Sequence, residues 1–291
     1  MGHVMDGALD KKYQRLQDDL RAMDSVLVAF SAGVDSTLLL KVASDVLGDR
    51  VLGVTGVSDS LPEEEKNEAG DLARWMGARH RYIDTEEIHN AQYMENNPRR
   101  CYHCRNELYT QMKQVVQQEG AAFICEGSIV DDVDDFRPGM LAIREHEVRS
   151  PLKDAGFTKA DVRTLSEHLS LPNADKPSLA CLSSRFPYGD HITVEALNQV
   201  GQAEAFIRTL GIKQFRVRHH KNLARIEVDP HDLPTIIDHH DDIVSHLKTL
   251  GYTYITLDLE GYRAGAMNEV LKKREPAITE PLLSIQQMDS N

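Results

Sequence analysis

The chain has 291 residues, of which 41% are apolar and 27% charged, a globular balance that excludes a disordered protein and fits one large domain or two modest ones. Asp and Glu number 46 against 33 Lys and Arg, a formal net charge of −13, which argues against general nucleic-acid binding because phosphate contacts need clustered positive charge. The longest apolar runs are strand-sized and far short of a membrane span, no secretory leader is read at the N-terminus, and the cytoplasm is the compartment expected by default.

Leu9, Tyr13, Leu16, Leu20 and Met23 recur at helical spacing and predict an opening amphipathic helix. Ser25 to Phe30 is a short continuous apolar run of the kind buried on both faces of a parallel sheet. A small-residue turn, Ser31 to Ser36, leads into a helix from Thr37 that stops near Gly48, and Val51 to Val57 is the second strand. Ser60 as N-cap, Pro62 as an early helical proline and Glu63 as capping-box partner predict a helix reaching about Gly77. His80 to Asp84 reads as a third strand. Leu108, Met112, Val115 and Val116 set a helix after Cys101-x-x-Cys104, and Ala121 to Cys125 is a fourth strand. Alternating strands and helices predict an α/β fold with a parallel sheet and crossover helices.

From Glu126 to about Tyr188 the sequence reads as irregular apart from one helix, opened by the capping signature Thr158 to Asp161 and carried by Val162, Leu165 and Leu169. Loops of that length in a compact enzyme are usually functional. After Gly189 the pattern restarts with a helix carrying Val194, Leu197, Val200, Ile207 and Leu210. Strands at Phe215 to Val217 and Ala224 to Val228, a helix from about Leu233 to Leu250 and a strand from Tyr254 to Leu259 follow. The organisation expected is a first domain over 1–188, a smaller α/β domain over 189–275 for substrate binding or oligomerisation, and a loose tail over 276–291.

Ser31-Ala32-Gly33-Val34-Asp35-Ser36, between a buried strand and a helix, sits where a phosphate belongs. Backbone N–H groups in such a turn form an anion-binding concavity, and the helix N-terminus adds its positive dipole. Ser31 and Ser36 add hydroxyl donors, while Asp35 can hold the loop or contact magnesium. Neither a Walker P-loop nor G-x-G-x-x-G is present. The segment resembles the S-G-G-x-D-S loop of the PP-loop ATP pyrophosphatases, with Ala32 in place of the first glycine, a change expected to require ordinary backbone angles there. That resemblance implies a Rossmann-like sheet of the adenine-nucleotide alpha-hydrolase type, with ATP and Mg2+ as cofactors and adenylation of a substrate oxygen.

Lys176 to Gly189, with Asp135 to Gly139 and Leu257 to Arg263, resembles one branch of that superfamily, the LarE-type sulfur transferases, from about Leu16 to Glu269. What the resemblance implies is ATP-dependent sulfur insertion into carboxylates of a nicotinate-derived mononucleotide, the precursor of the nickel-pincer cofactor of lactate racemase. Cys181 suits the capture of a carboxyl-adenylate, with Arg185 expected to lower its thiol pKa. Within the family, sulfur comes either from a lone sacrificial cysteine or from a [4Fe-4S] cluster on three cysteines, here Cys101, Cys104 and Cys181, with one iron open. A zinc site completed by His103 and a redox C-x-x-C are the other readings of the pair, and Cys125 reads as a buried hydrophobe. Carried over from the family, Ser184, Arg216 and Arg218 hold the substrate phosphate, Arg105 is a further basic site residue, and Glu204 and Glu227 are acidic residues suited to a divalent metal. A solvated helix face and a strand-edge charge compete for those two glutamates. Asp131, Asp132, Asp134 and Asp135 form an acidic cluster, mostly solvated, from which one carboxylate could ligate magnesium. The resemblance also implies a homo-oligomer, of the order of a hexamer of trimeric units. A tRNA thiolase, an amidating synthetase of the NAD or GMP type and a nucleotide sensor are the rival readings.

Overall fold

The computed structural model describes residues 7–132, 139–177, 180–263 and 265–266. Helix α1 (Gly7–Met23) buries Leu9, Leu16 and Leu20, as the helical spacing requires. Strands β1 (Val26–Ala29), β2 (Val51–Val57), β3 (His80–Asp84) and β4 (Phe123–Cys125) form a sheet of order β3-β2-β1-β4 in which every neighbouring pair is parallel. Helix α2 (Val34–Leu47) leaves the central strand β1 directly and packs Leu38, Leu39 and Leu40 into the core. Helix α3 (Glu63–Met76) links β2 to β3, while α4 (Ala91–Met94) and α5 (Arg100–Glu119) lie between β3 and β4. The order reverses at β1, and ligands of open parallel sheets bind beyond the strands' carboxyl ends at such a point.

The stretch expected to be irregular contains three helices, α6 (Gly139–Glu145), α7 (Pro151–Asp154) and α8 (Lys159–His168). Thr158 and Asp161 form the capping box of α8, the one helix read there. Ser60 does not cap α3: Pro62 holds the N-cap position without a side-chain cap bond, and the Ser60 hydroxyl donates to Glu87 instead, at 3.1 Å. Helix α5 begins at Arg100, so Cys101 and Cys104 lie on its first turns rather than before it.

Helix α9 (Val194–Thr209) covers a second sheet of order β5-β6-β7, built from β5 (Phe215–His220), β6 (Leu223–Val228) and β7 (Tyr254–Leu257). β5 and β6 pair antiparallel, β6 and β7 parallel. Ala203, Ile207, Phe215, Val217, Ile226 and Leu247 share its core. The helix expected over 233–250 is two, α10 (Leu233–Asp238) and α11 (His240–Thr249), because His239 leaves the helical region at φ −101° and ψ 16°. The last strand ends at Leu257, two residues early, and Leu259 is exposed. Between the sheets, Leu182 and Phe186 pack with Ile88, Tyr93, Leu197 and Val200, so the Cys181 turn is held from both sides. The expected tail lies outside the described residues.

Candidate active site

The turn between β1 and α2 is held by its own hydroxyls. Ser36 donates to the Gly33 carbonyl at 3.0 Å, and its oxygen accepts from the Ser31 N–H at 3.3 Å. Ala32 corrects the expectation of ordinary backbone angles: its φ is +56°, the left-handed region that glycine favours, and it is fully buried. Its carbonyl accepts from Asn173 Nδ2 at 3.0 Å and Lys176 Nζ at 3.2 Å, bonds that help hold the strained residue. Lys176 also spans to Glu65 and Glu68 on α3, at 2.8 and 2.7 Å. Asp35, on the first turn of α2, is paired with Lys159 of α8 at 2.7 Å.

Gly127 lies against this turn from the end of β4. A Cβ at 127 would sit 3.0 Å from Ser36 N and 3.2 Å from the Asp35 carbonyl carbon, so backbone would have to move. Gly127→Ala should therefore cost about 1–3 kcal/mol of stability, as overpacking does, together with a clear loss of ATP affinity. Thermal melts and nucleotide titration check it, and unchanged nucleotide affinity would show that the turn does not hold the phosphates.

Cys181 shares a cleft of about 290 Å³ with this turn, lined among others by Ser31, Gly33, Asp35, Lys159, Lys176 and Cys181. The C-x-x-C approaches the same neighbourhood. Cys104 is half-buried, and burial, then the charges of Glu87, Cys181 and Cys101, push its thiol well above the ordinary value. Arg105 draws the Cys104 thiol the other way, and the cation acting beside Cys101 and Cys181 is not the expected Arg185. Arg185 gives its guanidinium to Glu204 and to the Ala180 and Cys181 carbonyls, at 2.7 and 3.1 Å for the carbonyls. Arg100, whose place in the sequence gives no sign of a site role, is buried beside the thiols. Burial works against its charge, but Cys181 and Cys101 outweigh that and hold it above its usual value. Tyr93, bonded to Ser183 at 2.5 Å, is pushed up by burial and by Cys181 and Cys104.

As a donor set, three thiols flanked by Arg100 and Arg105 suit an iron–sulfur cluster, whose charge these cations would offset. Among the described residues no group of three Cys, His, Asp or Glu side chains stands ready to hold a metal ion, so the thiols share a neighbourhood without forming a ready metal centre. Cys125 is buried, 3.7 Å from the Met23 sulfur, and burial first pushes its thiol up to about 12. It stays apart as read. The Glu87 carboxylate is a second residue that no sequence signal marks: Ser58 and Ser60 hold one oxygen, and the other is buried without a partner among the described residues.

Glu204 and Glu227 are neither solvated nor poised for a metal. Glu204 receives Arg185 through two bonds of 2.8 and 2.7 Å and the Val217 N–H at 2.8 Å. Glu227 receives Arg218 at 2.9 Å and Arg225 at 2.8 Å. Both carboxylates are at least 95% withdrawn from solvent. Arg218 donates to the Ser184 carbonyl, and the Ser184 hydroxyl accepts from Arg185, each at 2.8 Å. Arg216 lies over the Tyr262 ring, and burial, then Arg185, lowers it to about 10. Ser184, Arg185, Arg216 and Arg218 thus come together.

Arg105 packs over Gly139, one of its terminal nitrogens buried with no partner among the described residues. In the acidic cluster, Asp131 accepts from the Lys159 N–H at 2.7 Å and Asp132 from Ile129 at 3.0 Å, while Asp134 and Asp135 lie outside the described residues.

No family model matches the chain. It is 43% identical over 267 residues to an uncharacterized protein of Synechocystis sp., covering 91% of this chain and 100% of that one. It is 38% identical over 259 residues to the pyridinium-3,5-bisthiocarboxylic acid mononucleotide synthase of Lactiplantibacillus plantarum, covering 89% of this chain and 94% of the synthase. An uncharacterized protein of Methanocaldococcus jannaschii is 27% identical over 257 residues, 87% of this chain and 98% of that one. Weaker matches to argininosuccinate synthase, glutamine-hydrolyzing GMP synthase and NAD synthetase fall in the expected PP-loop superfamily. With the parallel sheet and its phosphate turn, the match over nearly the whole synthase shows that this enzyme belongs to the pyridinium-3,5-bisthiocarboxylic acid mononucleotide synthase family of PP-loop ATP pyrophosphatases.

Proposed function

We propose that the chain uses ATP to adenylate carboxylates of a nicotinate-derived mononucleotide, expelling pyrophosphate, and then replaces AMP with sulfur to give thiocarboxylates for the nickel-pincer cofactor of lactate racemase. The carrying observation is the single cleft that joins the turn at Ser31 to Ser36 with Cys181. An activated carboxyl on the nucleotide phosphates is thereby kept within reach of a sulfur site. Ser31, Gly33, Val34 and Ser36 offer the backbone and hydroxyl donors for the leaving pyrophosphate, and Asp35 a carboxylate for Mg2+.

In this reading Ser184, Arg216 and Arg218 bind the mononucleotide phosphate, since guanidinium forks match phosphate oxygens. Arg216 supports it: burial and then Arg185 make its positive charge less favourable, and an anion beside it would relieve that cost. Arg105 is the further cation for the substrate. Arginine has taken the carboxylates of Glu204 and Glu227, so a divalent metal there would have to displace it. The substrate region is 189–275, the phosphate region 1–188, and the working form is a homo-oligomer.

Cys101, Cys104 and Cys181 would hold the [4Fe-4S] cluster, which when bound supplies an open iron to carry transferable sulfide. The alternative source is Cys181 itself, used once and left as an alkene. Incubation with ATP, magnesium and the mononucleotide should release pyrophosphate, and its absence would remove the whole reading. Intact mass after anaerobic turnover separates the two sources: it should stay unchanged, whereas a loss of about 34 Da, the change from a thiol to an alkene, would mark Cys181 as consumed.

A further inference from the structure

A second cleft, of about 660 Å³, opens between α5, α6 and the start of β4. No described residue that lines it also lines the cleft of the phosphate turn and Cys181. The strands are parallel, so Phe123, which opens β4, lies at the opposite end of the sheet from the turn that follows β1. The reaction read above leaves this cleft without a task.

Its charge is unusual for so acidic a chain, whose formal net charge is −13. Several exposed cations elsewhere are paired, as Arg21 is with Asp18 and Arg74 with Asp71. Lys113, Arg144, Arg149 and Lys153 all line the cleft, and none bonds through its side chain to a carboxylate or another polar group among the described residues. Arg149 instead lays its guanidinium over the Phe123 ring, 5.2 Å from the ring centre. Glu147 and Asp154 are the carboxylates of the wall, two against four, and neither pairs with a cation among the described residues. His146 adds little charge, since burial and then Lys113 lower it. Four like charges around one space repel one another, and an anion held among them relieves that repulsion.

The floor asks for something else. Ile124, Ile143 and Val148 are buried in it, with Phe123 and Met140 half-buried beside them. An inorganic anion would leave this apolar surface wet, and an uncharged ring would leave the cations unmatched. A ring that carries a phosphate satisfies both. We infer that this cleft is a second ligand site, separate from the chemistry, and that it takes a mononucleotide. The phosphate sits among Lys113, Arg144, Arg149 and Lys153, and the base lies on the apolar floor. The volume falls within the ~300–1,000 Å³ usual for small-molecule sites. The inference does not depend on the sulfur-transfer reading.

Hydrogen–deuterium exchange of the full-length chain tests it, with AMP, nicotinate mononucleotide, adenosine and inorganic pyrophosphate as probes. One or both mononucleotides should protect peptides covering 113–124 and 140–154, saturating below about 1 mM. The mononucleotide that binds more tightly names the base. Adenosine and pyrophosphate each satisfy one half of the cleft and should bind there at least about tenfold more weakly. The double variant Lys113→Ala with Arg144→Ala should weaken the mononucleotide by about tenfold to a hundredfold, as loss of charge-assisted bonds does. Both side chains are exposed, and Lys153→Ala supplies a second reading if the double variant melts early. Absence of protection by either mononucleotide would overturn the inference. Undiminished protection in a folded double variant would do the same, because the effect would then come from binding elsewhere. Pyrophosphate as tight as the mononucleotides would reduce the cleft to a general anion patch. Protection present without ligand and lost on dilution would make it an interface between copies of the chain, and either result rejects the site.

Discussion

Glu204→Ala is expected to destabilise the protein by about 3–5 kcal/mol, the range for removing one partner of a buried ion pair. Its carboxylate takes two bonds from Arg185 and one from the Val217 N–H, so the substitution strands a buried guanidinium and a backbone donor together. Arg185 is 2% exposed, and water cannot replace the lost partner without opening the contact between the Cys181 turn and β5. Glu204→Gln should cost less, since the amide oxygen keeps one acceptor. Urea unfolding of both variants checks the order. A fall below about 1 kcal/mol for Glu204→Ala would mean that Arg185 finds other partners, because exposed pairs contribute no more than that. Addition of a chelator should leave the parent's unfolding midpoint unmoved. A shift there that Glu204→Gln abolishes would favour the metal role for Glu204 over the structural one.

Strands β1, β2 and β4 were legible because buried parallel strands read as continuous apolar runs, and Val51–Val57 is found at the bounds its run predicts. Helices α6 and α7 were not, because seven and four residues are too few to display a 3.6-residue period. The conformation of Ala32 depends on partners 141 and 144 residues later in the chain, Asn173 and Lys176, which no local pattern can announce. The same distance rule hid the fates of Glu204 and Glu227. Each carboxylate looked available in sequence, yet each folds against a guanidinium from another element or the neighbouring strand. Cys101-x-x-Cys104 and Cys181 were legible as reactive residue types. That they share a neighbourhood depends on Leu182 and Phe186 packing beside Tyr93.

Serine at position 101, 104 or 181 should abolish sulfur transfer while leaving pyrophosphate release within a few-fold of the parent. A hydroxyl cannot replace a thiolate ligand, and the phosphate turn contacts none of these side chains through a bond. The three substitutions should also lower iron and acid-labile sulfide equally under anaerobic conditions. Cys125→Ala supplies the control: its sulfur packs on Met23 inside the core, so it should lose stability alone. The sacrificial route predicts a different pattern. Cys181→Ser alone would then be inactive, the other two would still transfer sulfur, and one chain would yield at most one sulfur atom. The number of thiocarboxylates formed per chain by the parent is therefore the deciding measurement. More than one, with sulfide supplied, requires a renewable source, and a cluster renewed at its open iron is the one that all three thiols together provide. A single turnover, insensitive to Cys101→Ser and Cys104→Ser, would return the chemistry to Cys181 and leave the C-x-x-C as a redox or zinc pair.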